Sequence, residues 1–172
     1  MELRIGQKAP EFRAQAVNPE GEFEEITLEN YKGKWTVLFF YPLDFTFVCP
    51  TEIRGFNEQY EQFQGLNAEV LGASTDSLYS HKAWLNDGLG QIRFPLISDY
   101  TKELSAKYNV LVPEEGFALR GTFIIDPEGT LRSIVINDES VGRSVEETLR
   151  TLQALQTGKN TPCEWKPGEN TL

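Results

Sequence analysis

The run Trp35–Tyr41, "WTVLFFY", is apolar at nearly every position. A half-buried strand alternates apolar and polar residues, and an amphipathic helix spaces its apolar residues by three or four. A short, continuous run rich in β-branched and aromatic residues reads as a strand buried on both faces. Such a strand must be covered by further layers above and below. Pro42 ends it, because proline has no N–H for the ladder. Cys49, one of two cysteines, follows within a turn-rich stretch, "PLDFTFVC".

The rest of the chain supplies the layers. Phe12 to Val17 and Phe23 to Leu28 flank "NPEG" and read as a hairpin, with Glu20, Glu22, Glu24 and Glu25 on its solvated edge. "PTEIRGFNEQYEQFQG" predicts a helix from beside Cys49 to a Gly65 cap. Pro50 sits in its first turn, Glu52 near its positive end, and Ile53, Phe56, Tyr60 and Phe63 at helical spacing. "AEVLGAST" is a strand, "LYSHKAWLND" a helix ended near Gly88, "RFPLISD" a short strand and "TKELSAKYN" a short helix. "ALRGTFIID" and "TLRSIVIND" are strands joined by "PEG". The last helix runs over "SVEETLRTLQALQTG", with Ser144 as N-cap, Glu147 completing a capping box and Gly158 as C-cap. Residues 159–172, with two prolines and a glycine, read as irregular. The pattern predicts an α/β fold with a central mixed sheet flanked by helices, an N-terminal β-hairpin and an extended C-terminal tail. Residues 1–158 form one domain and 159–172 its tail, with no internal repeat or linker.

A formal net charge of -10 argues against nucleic acid or an anionic membrane as partner, since both select basic patches. The start, "MELRIGQKAPEF", carries no secretory h-region, and no apolar run approaches a membrane span. The expected compartment is the cytoplasm, where paired cysteines point to redox chemistry or metal binding. The single histidine, His81, and the absence of CxxC or HxxxH spacing speak against metal. His81 is expected on a helix surface or at an interface and not as a general base. Trp84 and Phe47 read as packing or interface residues, and Trp165 as an anchor beside Cys163.

A thiol where a strand ends and a helix begins faces unpaired N–H groups and the positive end of the helix dipole. Both favour thiolate, the nucleophilic form. The bland reading of such a residue is a small core filler. Position alone favours the reactive one.

"PLDFTFVCPTE" resembles the active-site signature of the peroxiredoxins, Pro-x-x-x-Thr-x-x-Cys, through Pro42, Thr46 and Cys49. "ALRGTFIIDPEG" resembles the family segment with the essential arginine, here Arg120, and "TPCEWKPGE" the segment with the resolving cysteine of typical two-Cys members, here Cys163. The similarity runs from "IGQKAPEF" to the tail. It implies a thioredoxin-like fold and a thiol-dependent peroxidase without a cofactor. Cys49 would be the peroxidatic cysteine. Pro42 would shield it, Thr46 would hydrogen-bond sulfur and peroxide, and Arg120 would supply a fixed cation, with Glu52 in an orienting role. The resemblance further implies reduction of hydrogen peroxide and alkyl hydroperoxides through a Cys49 sulfenic acid and an intersubunit Cys49–Cys163 disulfide. Thioredoxin or a flavin-linked disulfide reductase would recycle it. It also implies a homodimer, and a ring of five dimers with Ser77, Leu78 and Tyr79 near the dimer–dimer contact.

Easily over-oxidised members carry Gly-Gly-Leu-Gly and a Tyr-Phe helix. Here the loop is "DGLG" and nothing after Cys163 matches that helix, so a peroxide-tolerant enzyme is expected. Two rival readings differ in class. A thioredoxin-like disulfide oxidoreductase needs CxxC, and Thr46 stands where its first cysteine would be. A ring-forming holdase chaperone would suppress client aggregation without Cys49.

Overall fold

The computed structural model describes residues 2–172. The elements run β1 (Arg13–Val17), β2 (Phe23–Thr27), β3 (Trp35–Phe40), α1 (Cys49–Glu58), α2 (Tyr60–Gly65), β4 (Ala68–Ser74), α3 (Leu78–Trp84), β5 (Leu96–Ser98), α4 (Glu103–Lys107), β6 (Leu111–Val112), β7 (Phe117–Ala118), β8 (Arg120–Ile125), β9 (Leu131–Asn137) and α5 (Val145–Gln156). Seven strands form one sheet in the order β2-β1-β5-β4-β3-β8-β9, and β6 and β7 make a small separate ribbon. β3, β4 and β5 are mutually parallel because helices connect them, whereas β8 and β9 pair antiparallel through the "PEG" turn. This is the mixed, helix-flanked sheet expected of a thioredoxin-like fold. Among the described residues, no helix is long and apolar enough to cross a membrane.

β3 is central and covered on both faces. Val37, Phe39 and Tyr41 enter one core with Cys49, Ile53, Phe56, Phe94, Leu149 and Leu152. Leu38 and Phe40 enter the other with Phe12, Leu71, Ile97, Tyr108, Phe123 and Leu131. The two-residue period of a strand thus feeds two cores from one run, which is why it shows no polar alternation. Phe39 crosses its β4 partner Gly72, where an added Cβ would lie 2.9 Å from the ring. The same ring stacks on Phe56 of α1 with centroids 4.3 Å apart. Gly72 therefore lets Phe39 lie flat, and Phe39 seats the helix that begins at Cys49.

Several local expectations change. The helix predicted after Cys49 breaks at Gln59 (φ -94, ψ 5). There the Asn57 carbonyl accepts from Arg93 Nη2 at 2.5 Å. Gly65 is the last residue of α2, and the left-handed turn falls on Asn67 (φ 55), a residue type that tolerates it. The helix over "LYSHKAWLND" is regular only to Trp84, and Asp87 (φ -139, ψ 79) and Gly88 (φ 139) leave helical geometry. Ser144 caps α5 by accepting from Glu147 N at 3.1 Å, but the Glu147 carboxylate turns to Arg150 and not back to the cap. Gly158 (φ 65) takes the left-handed position after α5.

Candidate active site

Strand register brings the site together. β8 runs antiparallel to β3 with Phe39 opposite Thr122, and continuing that register sets Arg120 level with Tyr41, the residue after β3. β9 returns the chain to the same end of the sheet, delivering Glu139 and then Arg143 ahead of α5. The site lies beyond the carboxyl end of a central parallel strand, the usual ligand position in such sheets.

Cys49 is the first residue of α1 and is fully buried. Pro50 follows at a position that needs no donor. Arg120 Nη1 lies 3.3 Å from Cys49 Sγ and 2.5 Å from Glu52 Oε1, and Arg120 Nε donates to Glu139 O at 2.7 Å. Burial works against the Arg120 charge. The Cys49 and Glu52 contacts outweigh it and hold the guanidinium above its usual range.

Glu52, one turn into α1, is 3% exposed and bridges two arginines. Its Oε2 accepts from Arg143 Nε at 2.6 Å and from Arg143 N at 2.9 Å. Arg143 also donates to Gly121 O at 2.9 Å, to Thr122 Oγ1 at 3.0 Å and to Phe40 O, and lies 5.2 Å from the Phe39 ring centroid. Burial pulls Arg143 below the usual guanidinium range, and Glu52 opposes that. Two arginines and one glutamate leave one positive charge in excess beside the sulfur.

Sequence reading missed Arg143, although a signal existed. It directly precedes the N-cap Ser144, where the helix dipole disfavours a cation, so its place called for a buried anion. Pro42 is buried, two residues beyond the last residue of β3. Thr46 is exposed, and its hydroxyl donates to Leu43 O at 2.9 Å; none of the hydrogen bonds described joins it to Cys49. Cys163 is exposed and unpaired, in the tail beyond α5, while Trp165 is buried at 4% exposure.

The largest correction concerns His81. It is 0% exposed, with Nδ1 2.7 Å from Asp44 Oδ2 and Nε2 2.9 Å from Ile97 O. Both ring nitrogens face acceptors, so the imidazolium fits. Burial opposes the charge, but Asp44 and the Ile97 carbonyl prevail and raise the ring above its ordinary value. Asp44 also accepts from Tyr41 Oη and Ser80 Oγ, both at 2.8 Å, and Asp44 N donates to Asp76 Oδ2 at 2.9 Å. Asp44, Asp76 and His81 cluster closely enough to suggest a metal site, yet their polar atoms engage one another and their neighbours. The cluster pins the "PLDFT" loop from beneath. Phe47, at 94% exposure, does not pack in this chain, whereas Trp84 does.

The model of the AhpC/TSA family matches residues 5–134. A candidate peroxiredoxin of the rubredoxin operon of Clostridium pasteurianum is 54% identical, with 100% of both chains covered. A thioredoxin-dependent peroxide reductase of Drosophila melanogaster mitochondria is 52% identical over 98% of this chain and 75% of its own. The crystal structure of the reduced 2-Cys peroxiredoxin of Plasmodium vivax superposes with a TM-score of 0.96 at 39% identity, covering 99% of this chain and 93% of that one.

Proposed function

The chain belongs to the AhpC/TSA family, the peroxiredoxins, and we propose that Cys49 is the sulfur with which this thiol-dependent peroxidase attacks hydroperoxides. One observation carries the assignment: a buried sulfur at the head of a helix, 3.3 Å from a guanidinium that Glu52 holds in place. The excess positive charge of the Arg120–Glu52–Arg143 cluster is balanced when Sγ carries the negative charge. The Cys49 thiolate attacks one peroxide oxygen in line with the O–O bond. An S–O bond forms, the O–O bond breaks, and the departing alkoxide or hydroxide takes a proton to leave as ROH or water. Cys49 becomes a sulfenic acid. Fixed N–H dipoles and Arg120 oppose the charge that builds on the oxygens. The Thr46 hydroxyl commits its proton to Leu43 O, which leaves its lone pairs to accept the peroxide O–H. Pro42 keeps water from the thiol's back.

Cys163, exposed in the tail, is the resolving thiol. Its thiolate attacks Sγ of the sulfenic acid, releasing water and forming the Cys49–Cys163 disulfide between subunits. A dithiol donor, thioredoxin or a flavin-linked disulfide reductase, returns both to thiols by exchange. The edge strand β9, with Val135 and Ile136 exposed, suits pairing with a second copy. Exposed Phe45, Phe47 and Tyr79 suit a second contact that closes dimers into a ring.

The test is stopped-flow peroxide consumption by reduced protein. Cys163→Ser is expected to consume one peroxide per subunit and stop, and Cys49→Ser none. A burst in Cys49→Ser would sink the assignment.

A further inference from the structure

The segment carrying Cys163 is folded on itself. Leu172 N donates to Asn160 O at 2.9 Å, and Trp165 N to Pro162 O at 3.1 Å. Trp165 Nε1 donates to Glu169 O at 3.1 Å and Lys166 N to Glu169 Oε2 at 3.0 Å. The loop is thus closed at its ends and braced across its middle. Glu164 (φ 59) is left-handed, and the chain passes through it from exposed Cys163 to buried Trp165.

Arg150 of α5 ties this loop to the body. Its Nη1 donates to Trp165 O at 3.1 Å. Its Nε and Nη2 form a fork on Glu147, at 2.6 Å and 2.7 Å. Glu147 is itself set in the first turn of α5, where its N–H meets the Ser144 hydroxyl. A guanidinium held by two parallel bonds has its plane fixed, so its remaining donor is aimed without further loss of side-chain freedom.

This docking conflicts with the resolving chemistry. Cys49 is fully buried and Cys163 is exposed; both are free. A disulfide brings two sulfurs to about 2.05 Å and two Cα atoms to within about 7 Å. Pairing a fully buried sulfur with one carried on a docked loop requires one or both segments to move, and a Cys163 loop that leaves α5 breaks the Arg150–Trp165 bond and uncovers Trp165. We propose that Arg150, oriented by Glu147, is a latch that keeps the Cys163 loop docked in the reduced protein, and that opening it is part of the barrier to resolution. This rests on the reading of Cys163 as the resolving thiol. Arg150 touches no reacting atom. It is a positioning residue acting through Trp165.

The experiment pairs hydrogen exchange of reduced protein with two-phase stopped flow. In Arg150→Ala, amides of residues 160–172 should exchange faster. The peroxide-dependent first phase should stay within about twofold, and the peroxide-independent disulfide phase should quicken by about three- to tenfold, the worth of one charged hydrogen bond at a partly exposed site. Arg150→Lys keeps the charge but not the fork, and should fall between. Unchanged exchange in Arg150→Ala would overturn the latch outright. A disulfide phase that is unchanged or slower, with the first phase intact, would overturn its role in resolution. Wild-type protein that shows no first phase would instead overturn the cysteine assignment beneath it.

Discussion

Glu52 Oε1 lies 2.5 Å from the same Arg120 nitrogen that lies 3.3 Å from the Cys49 sulfur. The carboxylate and the thiol therefore share one donor, three residues apart on one helix. Any movement of Glu52 is passed to the sulfur through Arg120.

Removing the Glu52 charge should separate positioning from folding. Glu52→Gln keeps the shape but takes from two buried arginines the carboxylate that bridges them. Peroxide attack by Cys49 should slow by about a hundredfold, the scale of a misplaced catalytic group. Glu52→Ala should in addition lower stability by about 3–5 kcal/mol, as expected when one partner of a buried ion pair is deleted. Stopped flow and urea denaturation read the two effects. A Glu52→Gln enzyme with wild-type attack rates would show that Arg120 keeps its place without the carboxylate.

Gly72 offers a remote test of the same geometry. A methyl group there would meet the Phe39 ring at 2.9 Å and Leu96 at 3.0 Å. Gly72→Ala should cost about 1–3 kcal/mol through overpacking. Phe39 stacks on Phe56, so the helix bearing Cys49 should shift and the peroxide rate fall with stability. Destabilisation with an untouched rate constant would show that α1 does not depend on that stack.

The proposed ring contact depends on exposed aromatics. Tyr79 is 75% exposed and packs edge-on against Phe23 with centroids 5.5 Å apart. Tyr79→Asp would place a charge in the expected contact and should shift the reduced protein from ring to dimer, read as a drop in mass by sedimentation. An unchanged mass would move the contact elsewhere.

Much of this was legible before any coordinates. A run as apolar as Trp35–Tyr41 has one stable location, the middle of a covered sheet, and Cys49 follows from where that strand stops. What stayed hidden depends on contacts between residues far apart in sequence. Nothing near His81 announces Asp44, because their pairing arises only when α3 crosses the end of β3. The break at Gln59 takes shape where Arg93 reaches the Asn57 carbonyl from another segment. β6 and β7 are two residues each, too short to show a period. Arg143 alone carried a local clue, its unfavourable place before a helix N-terminus.

The Asp44–His81 pair makes the last prediction one about pH. Burial disfavours the imidazolium, but Asp44 and the Ile97 carbonyl outweigh it, so the folded pKa of His81 lies above its unfolded value. A group raised in this way stabilises fully below the unfolded value, near 6.5, and loses that contribution as pH climbs through the folded one. The other groups facing the ring act elsewhere. Burial, then the Asp44 charge, raises Asp76, whose window opens near the ordinary carboxylate value of about 3.9. Burial, then Asp44, holds the Tyr41 phenol well above its usual range. The urea midpoint of the wild type should therefore fall as pH rises above about 6.5. In His81→Asn that fall should be missing, on top of a general loss of about 3–5 kcal/mol at neutral pH from leaving Asp44 without its cation. Because Asp44 anchors the loop from Pro42 to Thr46, the variant's peroxide rate should drop as well. Parallel stability profiles for the two proteins across that range would show that His81 is not the titrating group.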